Sequence, residues 1–347
     1  MNFTFIEAVI ENFYVHKVGN KIADEQYFIA KRGVDVDDNL KTLLSHYFLS
    51  SFKSDELYCF SHSIEISLNE VYSCVNKIFK NSEELYEQSV NLAKHLYDQN
   101  VHPKIKGGEF YVVYFKNCIL DGEIKNAVGL FKSENKDTFL EIEQVKDGFD
   151  MDSKKGININ KLDKGCLIFD TGKENGYILS IVDNTNKGNE AQYWKDNFLN
   201  VLPVKNQYHQ TNQFLGLAKQ FVTNQLSEEF KFSKAEKIDL LNRSVDYFKK
   251  NEIFNKQVFE SEVFEDSNII ESFRKFDEIY RQENEIELLD TFEISSQAVK
   301  KQSRVFKSIL KLDKNFDIYI HGNSNLIEQG IDENGRKYYK IFYEKEN

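Results

Sequence analysis

Six cations crowd one short stretch near the end of the chain: Lys300, Lys301, Arg304, Lys307, Lys311 and Lys314. Closely spaced ammonium and guanidinium groups can follow a phosphate backbone, and phosphate contact releases condensed counterions. Tyr319, Tyr338 and Tyr339 follow within the same segment, and their rings can stack or hydrogen-bond. The competing reading is a solvated face neutralised by the acidic stretch 252–297 that precedes it. From charge alone the neutralised face ranks first.

Other residue sets are weaker. Asp121 with Glu123-Ile124-Lys125 resembles the acid and E-x-K set of metal-dependent nucleases, in which carboxylates hold a cation that activates water. Its spacing is too tight for that arrangement, and a solvated hairpin turn explains it. Gly172-Lys173 lacks the glycine five positions earlier that a phosphate loop needs, and no GxGxxG occurs. His102 beside Pro103 reads as a turn residue. His62 near Cys59 has no evident partner, and no nucleophile elbow supports Ser-His-Asp chemistry. The four cysteines, Cys59, Cys74, Cys118 and Cys166, form no CxxC pair, and no histidine completes a zinc set. The expectation is a chain without catalytic residues, metal or cofactor.

The rest of the sequence must position the cationic stretch. The formal net charge is −11, which excludes a uniformly basic coat but leaves room for a local patch. A length of 347 residues predicts two domains, divided near Pro203 into 1–203 and 204–347. No apolar run reaches the roughly 18 residues of a membrane span. The N-terminus carries early acidic residues and no basic leader, so it does not read as a signal peptide. Scattered cysteines fit a reducing cytosol.

The first domain opens as a strand over 3–16, with a turn at Gly19-Asn20 and a returning strand over 26–30. Helical spacing predicts helices over 39–52, 68–79 and 83–99, the last capped by Ser82. Pro103 and Gly107-Gly108 then announce a sheet. Strands are expected over 109–120, 125–131, 138–143, 157–159, 166–169 and 177–182, with Asp121-Gly122 as a tight turn. Short strands on short turns predict an antiparallel sheet with helices packed on one face.

The second domain should be helical over 206–226, 234–250 and 266–282, with a capping box at Ser233 and Glu236. A short helix over 295–303 leads to a hairpin from 305. Strands over 316–321, 326–331 and 336–343 complete a four-stranded antiparallel β-meander. The fold class is α+β.

The order of these segments resembles the bacterial nucleoid-associated protein family of the NdpA/YejK type. The resemblance rests on Tyr27-Phe-Ile-Ala-Lys-Arg-Gly33 with the following helix, and on Gly107-Gly-Glu-Phe-Tyr-Val-Val-Tyr-Phe115. It continues through 165–182, 192–201, 208–222 and 316–343, and so covers nearly the whole chain. It implies a cytoplasmic protein on the nucleoid that binds DNA, organises the chromosome and has no enzymatic activity. It brings no DNA-contact residues with it, so the six cations remain a reading of charge. Double-stranded DNA is the expected partner, bound through phosphates with weak sequence preference. The rivals are an adaptor recruited to a DNA-processing or defence complex, and a metal-dependent nuclease. A protein partner and a homodimer are also to be tested.

Overall fold

A computed structural model defines the fold. It describes residues 3–52, 56–185, 193–230, 232–284, 286–304, 306, 309–312, 314–319, 326–343 and 345. The chain divides into two compact units, 1–204 and 205–347.

The first unit begins with β1 (Phe3–Thr4) and β2 (Val9–Val18). Helix α1 (Asp38–Leu49) is opened by Asp37, whose carboxylate accepts the Leu40 N–H at 2.8 Å. Strand β3 (Leu57–Phe60) leads to α2 (Glu70–Lys80) and α3 (Leu85–Gln99). The sheet strands follow: β4 (Gly108–Leu120), β5 (Glu123–Ser133), β6 (Asp137–Val145), β7 (Gly148–Gly156), β8 (Lys164–Phe169) and β9 (Ile178–Asp183). A π-helical segment, Tyr193–Leu199, carries Trp194 into β10 (Val201–Pro203).

Eight of these strands make one antiparallel sheet in the order β1-β4-β5-β8-β9-β3-β10, with β2 also paired to β4. Both faces are buried. Phe110, Val112 and Tyr114 of β4, with Leu130 and Ile168, meet α2 and α3 through Val71, Val75, Ile78, Leu92 and Leu96. The intervening residues Tyr111, Val113 and Phe115, with Phe131 and Phe169, meet Tyr47 and Phe48 of α1. Phe48 stacks on Phe131 with ring centroids 4.4 Å apart. Two-sided burial explains why β4, β5 and β8 read as continuous apolar runs rather than alternating ones. The helical layer expected on one face is α2 with α3, and α1 adds cover to the other. Asp121 and Gly122 both take positive φ, 50° and 82°, which gives the β4–β5 hairpin the right-handed twist of its strands.

Four local expectations are corrected. The strand expected at 157–159 is absent, since β7 ends at Gly156 and a loop follows. The returning strand at 26–30 shrinks to a single bridge between Lys17 and Phe28. Asn20 holds this loop elsewhere, its amide donating to the carbonyls of His102 and Ile105. Asn81, not Ser82, caps the start of the α3 region by accepting the Glu83 N–H, and residues 82–84 form a 3₁₀ turn first. The strand expected at 138–143 does not join the sheet. It belongs to β6, which pairs only with β7 as a separate ribbon.

The second unit is built on phenylalanine. Helix α4 (Gln207–Gln220) runs through a π-helical segment, Phe221–Gln225, into the short α5 (Leu226–Glu229). Helix α6 (Lys234–Lys250) starts on the expected Ser233/Glu236 capping box. Strand β11 (Ile253–Asn255), α7 (Lys256–Val263), α8 (Ser267–Glu283) and β12 (Thr291–Glu293) follow, β11 pairing with β12. Their shared core includes Phe214, Phe221, Phe248, Phe254, Phe259 and Phe273. The chain then forms α9 (Ser296–Ser303), β13 (Ile309–Leu312), β14 (Phe316–Tyr319), β15 (Ile327–Ile331) and β16 (Lys337–Ile341).

The four terminal strands are present, but among the described residues they pair two and two, β13 with β14 and β15 with β16. Gly335, at φ 79°, sits in the turn that sets the second hairpin. Both hairpins pack on α6 through a small cluster of Ala235, Ile238 and Leu310 with Leu312, Ile318, Ile327 and Tyr339.

Inside the first unit, His16 is almost wholly buried. Its Nδ1 accepts the Ala30 N–H at 3.2 Å, so Nε2 carries the proton and donates to Ser89 Oγ at 2.9 Å. Burial lowers its pKa from 6.5 to about 4. The unfolded imidazole therefore takes up more protons than the folded one between those values, and stability falls as pH drops through that window. Acidification from pH 7 to pH 5 should cost about 2 kcal/mol through this group, and His16→Gln should remove most of that dependence, as read by urea unfolding at both pH values.

Candidate nucleic-acid interface

The cationic stretch divides among three places. Lys300 and Lys301 occupy the last turn of α9, and Arg304 is its C-terminal cap. Lys311 lies in β13 opposite Asp317, and Lys314 lies in the following turn, exposed. Lys307 lies outside the described residues.

Helix α9 is fixed from below. Ser295 caps its start, and the Ser295 N–H itself donates to Thr211 Oγ1 of α4 at 3.0 Å. Ala298 and Val299 are buried, and Gln302 donates to Asn212 of α4 at 2.6 Å. That anchoring turns Lys300, Lys301 and Arg304 outward, all exposed. Lys300 and Arg304 are four residues apart, a spacing that puts like charges side by side and costs stability unless an anion lies between. Cations at a helix C-terminus also complement its dipole, which is a purely structural reason for them to be there. Lys301 is engaged with an aromatic ring, its Nζ 5.7 Å from the centre of Tyr208.

Several carboxylates of the acidic stretch are held away from this end. Asp277 is buried between Lys256 at 2.5 Å and Arg281 at 2.6 Å. Glu260 is held by Arg274 at 2.6 Å, Glu271 by Lys275 at 2.8 Å, and Glu287 by Lys205 at 2.5 Å. Glu265 pairs with Arg243 at 2.5 Å. Among the described residues, Lys300, Arg304 and Lys314 stand in no ion pair.

The structure adds two lysines that the sequence argument passed over. Lys219, in the last turn of α4, lies 5.9 Å from the centre of the Phe306 ring. Lys249, at the end of α6 and paired with Asp246 at 3.2 Å, lines with Lys300 and Glu252 a 460 Å³ groove that Phe248 and Val299 also line. The available signal was positional, since α4, α6 and α9 all carry lysine in their last turns.

The other candidate chemistries lose their footing. Glu123 pairs with Lys125 at 2.7 Å along the start of β5, beside the β4–β5 turn. No three His, Cys, Asp or Glu side chains gather to hold a metal ion among the described residues. His102 is a loop residue whose Nδ1 accepts the Lys104 N–H. Burial raises the thiols of Cys59, Cys74 and Cys118, the last two to about 11 and 12, and that of Cys166 further still, so none is a ready thiolate. Gly172, at φ 70°, only turns the chain between β8 and β9.

The first unit holds a buried charge cluster. Lys132 and Lys164 are cross-strand neighbours on β5 and β8, both without solvent exposure. The Lys132 ammonium donates to the Lys106 carbonyl at 2.8 Å, to Glu134 at 3.0 Å and to the Tyr193 hydroxyl at 3.2 Å. Lys164 donates to Asp183 at 2.9 Å and faces Glu134 at 3.8 Å. The Tyr193 ring centre lies 5.5 and 5.3 Å from the two ammonium groups, and its hydroxyl donates to Glu134 at 2.8 Å. Burial lowers the Lys132 pKa against the pull of Glu134. With every donor direction occupied and no access, this is a clamp joining the sheet to the π-helical segment and not a nucleophile. The adjacent 710 Å³ cleft is balanced, Lys17, Lys136 and Lys155 facing Glu25, Glu109 and Glu134. Glu134→Ala should leave the two buried ammonium groups undercompensated and cost about 3–5 kcal/mol, measured as a lowered urea midpoint with an unchanged slope.

An anchored helix end with exposed cations is a surface that can take phosphate. The family model for the nucleoid-associated protein YejK matches residues 15–336, and the chain belongs to that family. Membership makes it a non-catalytic, DNA-binding protein of the bacterial nucleoid, hence of the cytoplasm, with a part in chromosome organisation. The chain matches none of the curated proteins. No helix among the described residues is long and apolar enough to cross a membrane.

Proposed function

We propose that the protein holds double-stranded DNA through the phosphate backbone, at the outward end of α9. Lys300, Lys301 and Arg304 make the first contacts, and Lys311 and Lys314 extend them along the following hairpin; Lys307, outside the described residues, belongs to the set by its charge. Lys219 and Lys249 add charge beside them. The supporting observation is that Lys300 and Arg304 are exposed and, among the described residues, in no ion pair, while Glu260, Glu271 and Asp277 of the preceding acidic stretch are each held by another cation. Contacts of this kind carry little sequence information, so preference among sequences is weak. On this reading residues 1–203 are a scaffold domain and 204–347 the DNA-holding domain. The finer partner is a second copy of the chain.

Replacing Lys300, Lys301 and Arg304 together by alanine tests the contact. Affinity for any duplex should fall, and the slope of log K against log salt should flatten by up to about 0.9 for each phosphate no longer neutralised. The urea midpoint should hardly change, because the three side chains are exposed. Equal affinity and an equal salt slope in wild type and variant would remove α9 from the interface.

A further inference from the structure

We propose that the β6–β7 ribbon is a self-association surface, on which a second copy of this chain docks face to face. Among the described residues the ribbon pairs with no other strand. Its register places Leu140 opposite Ser153, Ile142 opposite Met151 and Gln144 opposite Phe149. Residues opposite one another share a face. One face therefore carries Leu140, Ile142, Phe149 and Met151, which are 67%, 58%, 69% and 71% exposed. The other face carries Glu141, Glu143, Asp150 and Asp152, with Lys154 paired to Glu141. Phe139 is also on that face and folds down over Gly156.

This division settles which side docks and what it takes. A two-stranded ribbon is marginal in water until its apolar face is covered. DNA does not fit: the middle of the apolar face carries no cation, and four carboxylates stand behind it. The same face of a second copy does fit. It brings no like charge to the centre, since Lys155, the one cation this register puts on the face, lies at the base opposite Thr138, and sheets stacked about 10 Å apart interdigitate such side chains. In a two-fold arrangement Ile142 and Met151 lie near the axis, and Phe149 at the tip reaches the partner's Leu140 nearer the base. Covering this face removes on the order of 500 Å² from each copy, about 1,000 Å² in all, the lower bound for a specific interface. The dimer thus presents two DNA-holding units in one particle and can bridge two duplex segments, with the second contact made at high effective concentration. The bridging step, unlike the dimer, rests on the DNA reading above.

The test uses the full chain and sedimentation equilibrium at concentrations of order 10 µM, near which an interface of this size is populated. Wild type should sediment as a dimer. Ile142→Thr, Phe149→Thr and Met151→Thr together should give a monomer with at least a tenfold weaker dimerisation constant, since threonine keeps strand propensity and adds no charge. Glu141→Gln with Glu143→Gln, on the opposite face, should remain dimeric. The threonine variant should bind a short single-site duplex as wild type does but no longer retain a second, labelled duplex on bead-bound DNA. A monomeric wild type, or a threonine variant that still dimerises, overturns the proposal. A dimer that binds no short duplex overturns the DNA reading and leaves the self-association standing.

Discussion

Burial of β4 on both faces is the constraint on which the first unit depends. From Phe110 to Phe115 its even residues fill the layer under α2 and α3 and its odd residues the layer under α1; past the irregularity after Phe115, Cys118 and Leu120 join the α1 layer. No residue from Phe110 to Phe115 can become polar without opening one core or the other. The strand is also the pairing hub, with β2 and β1 along one edge and β5 on the other. A slip of one residue would exchange the two layers entirely, so packing specifies the register as firmly as the Asp121-Gly122 turn does. Lys132 and Lys164 continue the even face past the last apolar position, where Tyr193 and Glu134 close it with charge rather than hydrocarbon. That end of the sheet is therefore specified by polar matching, which tolerates loss of one partner poorly.

The second unit solves a different problem. It must present cations without the surrounding acid collapsing onto them. Pairing carboxylates with nearby arginine and lysine, as in Asp277 with Arg281 and Glu260 with Arg274, engages part of the acidic stretch away from α9. The phenylalanine core under α4 and α6 then supplies a stiff platform. Helix α9 buries only Ala298 and Val299 in it, leaving the longer basic side chains outside.

How much of this could be read from residues depends on range. Local signals carried far: the Ser233/Glu236 box, the Asp121-Gly122 turn and the apolar spacing of α2 all describe structure made within a few residues. Strand β7 escaped because Gly148-Phe-Asp-Met-Asp-Ser-Lys-Lys-Gly156 resembles a loop until β6 lies beside it. The two C-terminal hairpins were legible from their turns, but their seat on α6 was not, because no local pattern announces it. At the candidate interface the charge was legible and its availability was not. Whether Lys300 meets a carboxylate is decided by where Asp277 and Glu260 find their partners, which is a property of the packed unit.

The π-helical segment after α4 has a consequence for how this unit tolerates change. The apolar stripe runs Phe214, Leu217, Ala218, Phe221 and Val222, and in an unbroken α-helix the next buried position would be 225. It is Leu226 instead, while Gln225 stays partly exposed. One surplus residue, about 100° of rotation, is absorbed in a single wide turn. The buried face shifts phase by one position there, so the layer beyond it is set by Leu226 and not by residue 225.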